Sequence, residues 1–323
     1  MDENLNKVLV TTLRKHLPEG KTLVPYLMEK LEIGKESVYR RIRNDISFSF
    51  DEIISLSSDL GFSIDEIVGQ NNNRRLFFDL PSSNSTNPAD LYAEFTYDTV
   101  EVIKKMDKAA TSKAIFAYNR MPQLFTVHLK NISRFRYYRW MHQTHNVPLD
   151  FYLSDISVSA EVNELHNNLY YNFLKMDELT LILDRNVFAS IINEILYYYK
   201  RGLIKKDELL LIKDELLQIV DRLEILAEKG TNDAGTKINL FVSSFSIDSC
   251  YGYFEYNEDS CVQIWTYIMP PITINKPEIC AIQKNRIESF RKFSILITQC
   301  NEIQRAEYLR AQRKLIADMG ETV

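Results

Sequence analysis

Apolar residues recur at helical spacing through the first fifth of the chain. Leu5, Leu9 and Leu13, with Thr12 beside them, mark one side of a helix expected over 3–17 and ended by Pro18-Glu19-Gly20. Leu27 and Leu31 line a second helix over 22–31, where Thr22 stands at the cap and Pro25 falls within the first turn. Glu32-Ile33-Gly34 reads as a tight turn, with Ile33 filling it. Val38 and Ile42, four apart, form the inner side of a third helix over 35–44. Two further starts carry capping boxes, Ser49-Phe50-Asp51-Glu52 and Ser63-Ile64-Asp65-Glu66. Phe48 with Ile53, and Phe62 with Ile67, fit the accompanying staples, and Gly61 and Gly69 stand where helices stop. The pattern predicts an all-α domain of five short helices over 1–69.

The pattern then breaks. Residues 70–89 are rich in Asn, Ser and Pro and read as a linker with an apolar patch at 76–78. From 90 to 323 the signals mix. Helices are expected over 184–200 and 207–229, joined closely enough to form an antiparallel hairpin. Strand patterns over 237–247, 251–256 and 261–268 suggest an antiparallel meander. Earlier strand candidates are 114–118, 124–129 and 179–183. Two helices, 282–299 and 302–319, close the chain, the last capped by Asn301. The fold class expected is therefore α+β and multidomain: a helical head, a linker, and a mixed domain with a helical hairpin and an antiparallel sheet.

Composition narrows the classes. Of 323 residues, 45% are hydrophobic and 26% charged, a globular balance that argues against a disordered, collagen-like or membrane chain. No apolar run approaches the ~18–20 residues that span a bilayer. The acidic, polar start MDENLNKVLV does not look like a signal peptide, so a cytoplasmic location is expected. Cys250, Cys261, Cys280 and Cys300 form no CxxC pair and read as reduced thiols. The net charge of −5 means that any nucleic-acid contact must come from a local basic face.

The third helix has such a face. Lys35, Glu36, Tyr39, Arg40 and Arg43 project together, and 35–44 holds four basic residues against one acidic. Arginine can bond two acceptors on guanine in the major groove, and Tyr or Lys can reach a phosphate or base edge. With the apolar pattern around it, residues 1–69 resemble the Cro/λ-repressor-like (XRE-type) helix-turn-helix family, including BetR-type domains. The resemblance implies a five-helix bundle whose third helix reads DNA. It places Lys35, Glu36, Tyr39, Arg40 and Arg43 at base- and phosphate-facing positions, and Lys21, Thr22 and Asn44 near the DNA backbone. The chain departs from the family at Glu32, where Gly is usual, at Met28, where a small residue is usual, and at Arg41, which replaces an apolar residue and is expected to serve structure. Beyond 90 the chain resembles only uncharacterised bacterial helix-turn-helix proteins.

Other features are weaker. The stretch 130–140, KNISRFRYYRW, could grip phosphate and stack on bases. Its Ile132, Phe135 and Tyr138 stripe fits a packed helix better. His142 and His145 make an HxxH pair with no third ligand cluster nearby, so no metal is expected. No P-loop, dinucleotide glycine motif, GxSxG or HExxH occurs, and neither a catalytic residue nor a cofactor is assigned. On 207–229, Leu209, Ile212, Leu216, Ile219, Leu223 and Leu226 follow a coiled-coil seam, widened by Leu210, Leu217, Val220 and Ala227. That width favours core packing, with subunit contact on another edge. The function expected is sequence-specific regulation of transcription by a homodimer on double-stranded DNA, at an inverted-repeat operator. The second domain would dimerise, and a small ligand or protein effector is left open. The alternatives are a head that contacts protein, and a ligand-processing enzyme fused to a DNA-binding head.

Overall fold

The computed structural model describes residues 5–18, 20–64, 67, 87–265 and 271–320. The chain divides into two compact units, 1–79 and 80–323.

In the first unit, α1 (Leu5–His16), α2 (Leu23–Leu31), α3 (Lys35–Ile42) and α4 (Phe50–Leu60) enclose a core of Leu9, Leu13, Leu27, Val38 and Leu56, with Phe48 and Phe62 beside them. The helical period puts the first five inside, and Phe48 and Phe62 pack on them from just beyond the two ends of α4. Ser49 caps α4 as its sequence predicts. Its Oγ accepts from the Glu52 N–H at 3.2 Å, and its own N–H donates to Glu52 at 2.8 Å. Glu52 also receives Arg41, whose Nη2 and Nε donate to its two oxygens at 2.7 and 3.2 Å. One carboxylate thus joins the start of α4 to α3. Asn6 bridges further, donating to the Arg41 carbonyl at 2.8 Å. Thr22 stands at the cap of α2, but its hydroxyl makes no cap bond. Asp65 and Glu66 of the second capping box, and residues 70–86 of the linker, lie outside the described residues.

The second unit is built on a mixed seven-stranded sheet in the order β6-β5-β4-β1-β2-β3-β7. The strands are β1 (Ser112–Tyr118), β2 (Glu178–Asp184), β3 (Lys237–Ser243), β4 (Cys250–Tyr256), β5 (Asp259–Trp265), β6 (Ile272–Ile274) and β7 (Ser294–Leu296). β1, β2 and β3 run parallel, joined by helical crossovers, while β4, β5 and β6 form an antiparallel meander beyond β1. Side chains alternate between faces. Ala114, Phe116, Leu179, Leu181, Ile238 and Leu240 face one large core. That core is covered by α5 (Pro88–Asp107), α6 (Gln123–Thr126), α7 (Lys130–Thr144), α8 (Ala160–Phe173), α9 (Val187–Lys200), α10 (Lys206–Lys229) and α12 (Glu302–Ala317). Ala117, Ile182, Phe241 and Val262 face the other side, under α11 (Pro277–Arg291).

Several expectations are corrected. The sheet is mixed rather than antiparallel. β3 pairs with β2 and β7, not with β4, because its nearly continuous burial suits a strand covered on both faces. Residues 124–129 are not a strand. Pro122 opens the single turn α6, and Thr126 Oγ1 donates back to the Pro122 carbonyl at 3.3 Å. A short apolar run does not distinguish the two states by period. The helix expected over 282–299 starts earlier, with Pro277 in its first turn, and ends at Arg291 so that β7 can pair with β3. In the expected hairpin, α9 and α10 each pack mainly against α12. Asn301 makes no side-chain cap, and its Nδ2 donates to the Leu296 carbonyl at 2.8 Å.

Candidate functional site

On α3, Val38 is fully buried, while Lys35, Glu36, Tyr39, Arg40 and Arg43 are exposed together. The Lys35 ammonium lies 6.0 Å from the Tyr39 ring centre. Arg43 contacts two carboxylates, Glu36 and Asp45, each at 3.2 Å. Such exposed pairs are weak and readily exchanged for another anion. The Arg40 side chain has no hydrogen bond or ion pair among the described residues. Ahead of α3, Glu32 adopts the left-handed conformation at φ 52°, the geometry that glycine takes most easily. Asn44 follows the helix at φ 68°. Lys21 and Thr22 are exposed at the start of α2. Arg41 is turned away onto Glu52. Burial pushes that carboxyl upward, but the Arg41 and Ser49 hydrogen bonds and the Arg41 charge outweigh it and hold the group below its usual range.

A second candidate lies in the other unit, outside the carboxyl end of β1. In open α/β sheets this is where ligands settle, at the strand from which connections diverge. Here the crossovers from β1 lead toward β2 and β3, and β4 lies on β1's other side. The cleft between has a volume of about 350 Å³. Its apolar walls are Trp140, Trp265, Tyr92, Tyr118 and Phe173. Gly252 makes this packing fit. A Cβ there would lie 2.7 Å from both the Phe116 and Trp265 rings. Tyr92 meets Trp140 edge-on at 5.2 Å, and its hydroxyl pairs with His166 Nε2 at 3.2 Å. His166 Nδ1 pairs with the Ser133 hydroxyl at 3.0 Å. Burial, reinforced by the Arg136 charge, lowers His166 to about 4, so its ring is neutral at pH 7.

The polar groups come from α7 and α9. Arg139 is ion-paired with Glu194. Arg136 Nη1 donates to the Met121 carbonyl at 3.1 Å, and its Nε is buried without a partner. Desolvation and the neighbouring Arg139 work against the Arg136 charge and outweigh the smaller favourable effects of Tyr92 and Glu194, which lies beyond ion-pair distance from it. Cys250 also lines the cleft, its thiol donating to Asn119 Oδ1 at 3.1 Å. Burial pushes the thiol's pKa up, away from a reactive thiolate.

The arginines of 130–140 therefore do not form a wet face. Arg134 pairs with Glu208 at 2.7 Å, and Phe135, Tyr137, Tyr138 and Trp140 are all buried. The aromatics of 135–140 are core, as their Ile132, Phe135 and Tyr138 stripe suggests, and leave no aromatic surface for stacking on bases or for a subunit contact. Aromatics occupy more than one side of this helix, which leaves its arginines no wholly polar face. That was the available signal; the position of Glu194 had none. His142 packs among Tyr138, Phe151 and Tyr198, and no group of three His, Cys, Asp or Glu among the described residues is placed to hold a metal. No described helix is long and apolar enough to cross a membrane. No protein-family model matches the chain, and neither a curated protein nor a solved structure does.

Proposed function

We propose that the protein is a sequence-specific DNA-binding regulator, whose first unit is a helix-turn-helix head that lays α3 in the major groove. The observation that carries this reading is the division of α3: Val38 is sealed in the core, and Lys35, Tyr39, Arg40 and Arg43 are exposed on the other side. The left-handed turn at Glu32, between two short packed helices, supports it further. In this reading Arg40 reads a base, Arg43 exchanges Glu36 and Asp45 for DNA, and Lys21, Thr22 and Asn44 meet the backbone.

The test separates base from phosphate contacts on a site selected from random DNA. Arg40→Ala is expected to weaken the selected site much more than random DNA, because a bidentate base contact discriminates by ~1–3 kcal/mol. Lys21→Ala is expected to weaken both by similar factors. Equal losses for Arg40→Ala would move that residue to the backbone, and no loss would remove α3 as the reader.

A protein-contact role for the head is the second reading. It is favoured by Phe50 and Ile54, one helical turn apart on α4 and 68% and 41% exposed. Steep weakening of DNA binding with salt supports the first reading and not the second.

A further inference from the structure

We propose that the cleft outside β1 is a binding site for a small planar carboxylate, with Arg136 as the group that takes the acid. This extends the regulatory reading to the second unit but does not depend on it, since cleft and head are assayed separately.

The first ground is charge. Arg136 is half-buried, with its Nε sealed from solvent, and part of its surface opens on the cleft. Among the described residues no carboxylate pairs with it, and its one hydrogen bond goes to a neutral carbonyl. Its neighbour Arg139 already occupies Glu194. Keeping a guanidinium away from water without a counter-ion is costly. A cation retained there fits a site completed by an incoming anion. The planar fork of arginine matches a carboxylate bidentately.

The second ground is shape. The cleft volume lies in the range of small-molecule sites, and such sites pair apolar walls with a few convergent polar groups. Trp140 and Trp265 supply flat surfaces. Trp140 is held by Tyr92 and Tyr137, at 5.2 and 5.8 Å between ring centres, and Trp265 by Phe116 and Tyr118, at 6.0 and 6.1 Å. Walls braced in this way are set before a ligand arrives, so little ordering cost is left to binding. Gly252 is the residue that leaves room for the Trp265 wall.

The chain has two tryptophans, and both line this cleft, so indole emission reports on it directly. The probes are 3-nitrobenzoate, a planar anion that quenches indole, and 3-nitrobenzamide, its neutral isostere. The full-length protein is expected to show saturable quenching by the acid, with a midpoint near or below about 1 mM. The amide is expected to bind at least about tenfold more weakly, the usual worth of a charge-assisted hydrogen bond. Arg136→Met keeps the volume and removes the charge. It should lose the preference for the acid while retaining the wild-type emission maximum. If that variant does not fold, the comparison of acid with amide on the unaltered protein still decides. Equal binding of the two probes, quenching that never saturates, or a folded Arg136→Met that keeps its preference for the acid would overturn the proposal.

Discussion

Glu32 holds a backbone conformation that is costly for an L-residue. It sits at φ 52° in the turn between α2 and α3, and its side chain is exposed. The left-handed conformation costs an L-residue roughly 1–2 kcal/mol, partly offset for glycine by its greater entropy loss on folding. Glu32→Gly is therefore expected to stabilise residues 1–79 by about 0.5–1 kcal/mol, read from urea unfolding of that fragment. A destabilised variant would show that Glu32 contributes through a contact instead. Acid should separate the two units. His166 falls from 6.5 unfolded to about 4 folded, because burial opposes its charge. Its contribution is complete above 6.5 and is lost as pH falls from there toward 4. In the first unit, the Lys30 and Tyr26 hydrogen bonds hold Asp59 below its ordinary 3.8, and Arg41 and Ser49 hold Glu52 below its ordinary 4.5 against the effect of burial. Their contributions are complete above those ordinary values and fade only at lower pH. On acidification, tryptophan emission, which follows the second unit alone, is expected to change before the first unit unfolds. The reverse order would contradict the assigned state of His166.

At the scale of elements, local signals are legible in the sequence and long-range ones are not. The Ser49 capping box, the stop at Gly61 and the inner positions of α1, α2 and α3 each depend on residues within one or two turns, and all can be read directly. The parallel order of β1, β2 and β3 cannot, because strand pairing joins residues far apart and a buried run looks the same in either sheet type. The cleft is hidden for the same reason: Arg136, Glu194 and Trp265 meet only through the sheet. α7 gives a sharper case. Glu215 of α10 is 7% exposed, and it accepts the backbone N–H of Ile132 at 2.7 Å and that of Asn131 at 2.9 Å, at the start of α7. Asn131 Nδ2 adds a third donor at 2.7 Å. In the sequence Glu215 is simply an acidic residue on a leucine-rich helix. Its replacement would orphan two helix-terminal donors and remove a carboxylate from the positive end of a helix. Glu215→Ala is expected to destabilise the second unit by about 2–4 kcal/mol, followed through tryptophan emission in urea. A cost below about 1 kcal/mol would mean that water replaces the carboxylate readily.

For the whole molecule, the proposed DNA-reading head is expected to gain affinity by being held in pairs. Residues 1–80 carry 11 basic and 13 acidic side chains, so one head has little general attraction for DNA. On α10 the expected seam, from Leu209 to Leu226, is buried within its own unit, while Leu210, Leu211 and Ile225 stay 55%, 52% and 48% exposed. This outer edge is where a second copy is expected to dock. Sedimentation should find a dimer for the full chain and a monomer for residues 1–79. The fragment should bind the operator at least ~100-fold more weakly, within the usual range for lost avidity. A monomeric full-length protein, or a fragment that binds as tightly, would remove the dimer from the account. The most direct test is selection of binding sites from random double-stranded DNA with the full-length protein. The expected result is one enriched motif, an inverted repeat whose half-sites are spaced about 34–36 Å or a multiple of that, with affinity that falls steeply as salt rises. A pool that stays random after repeated selection, or binding indifferent to both sequence and salt, would contradict it.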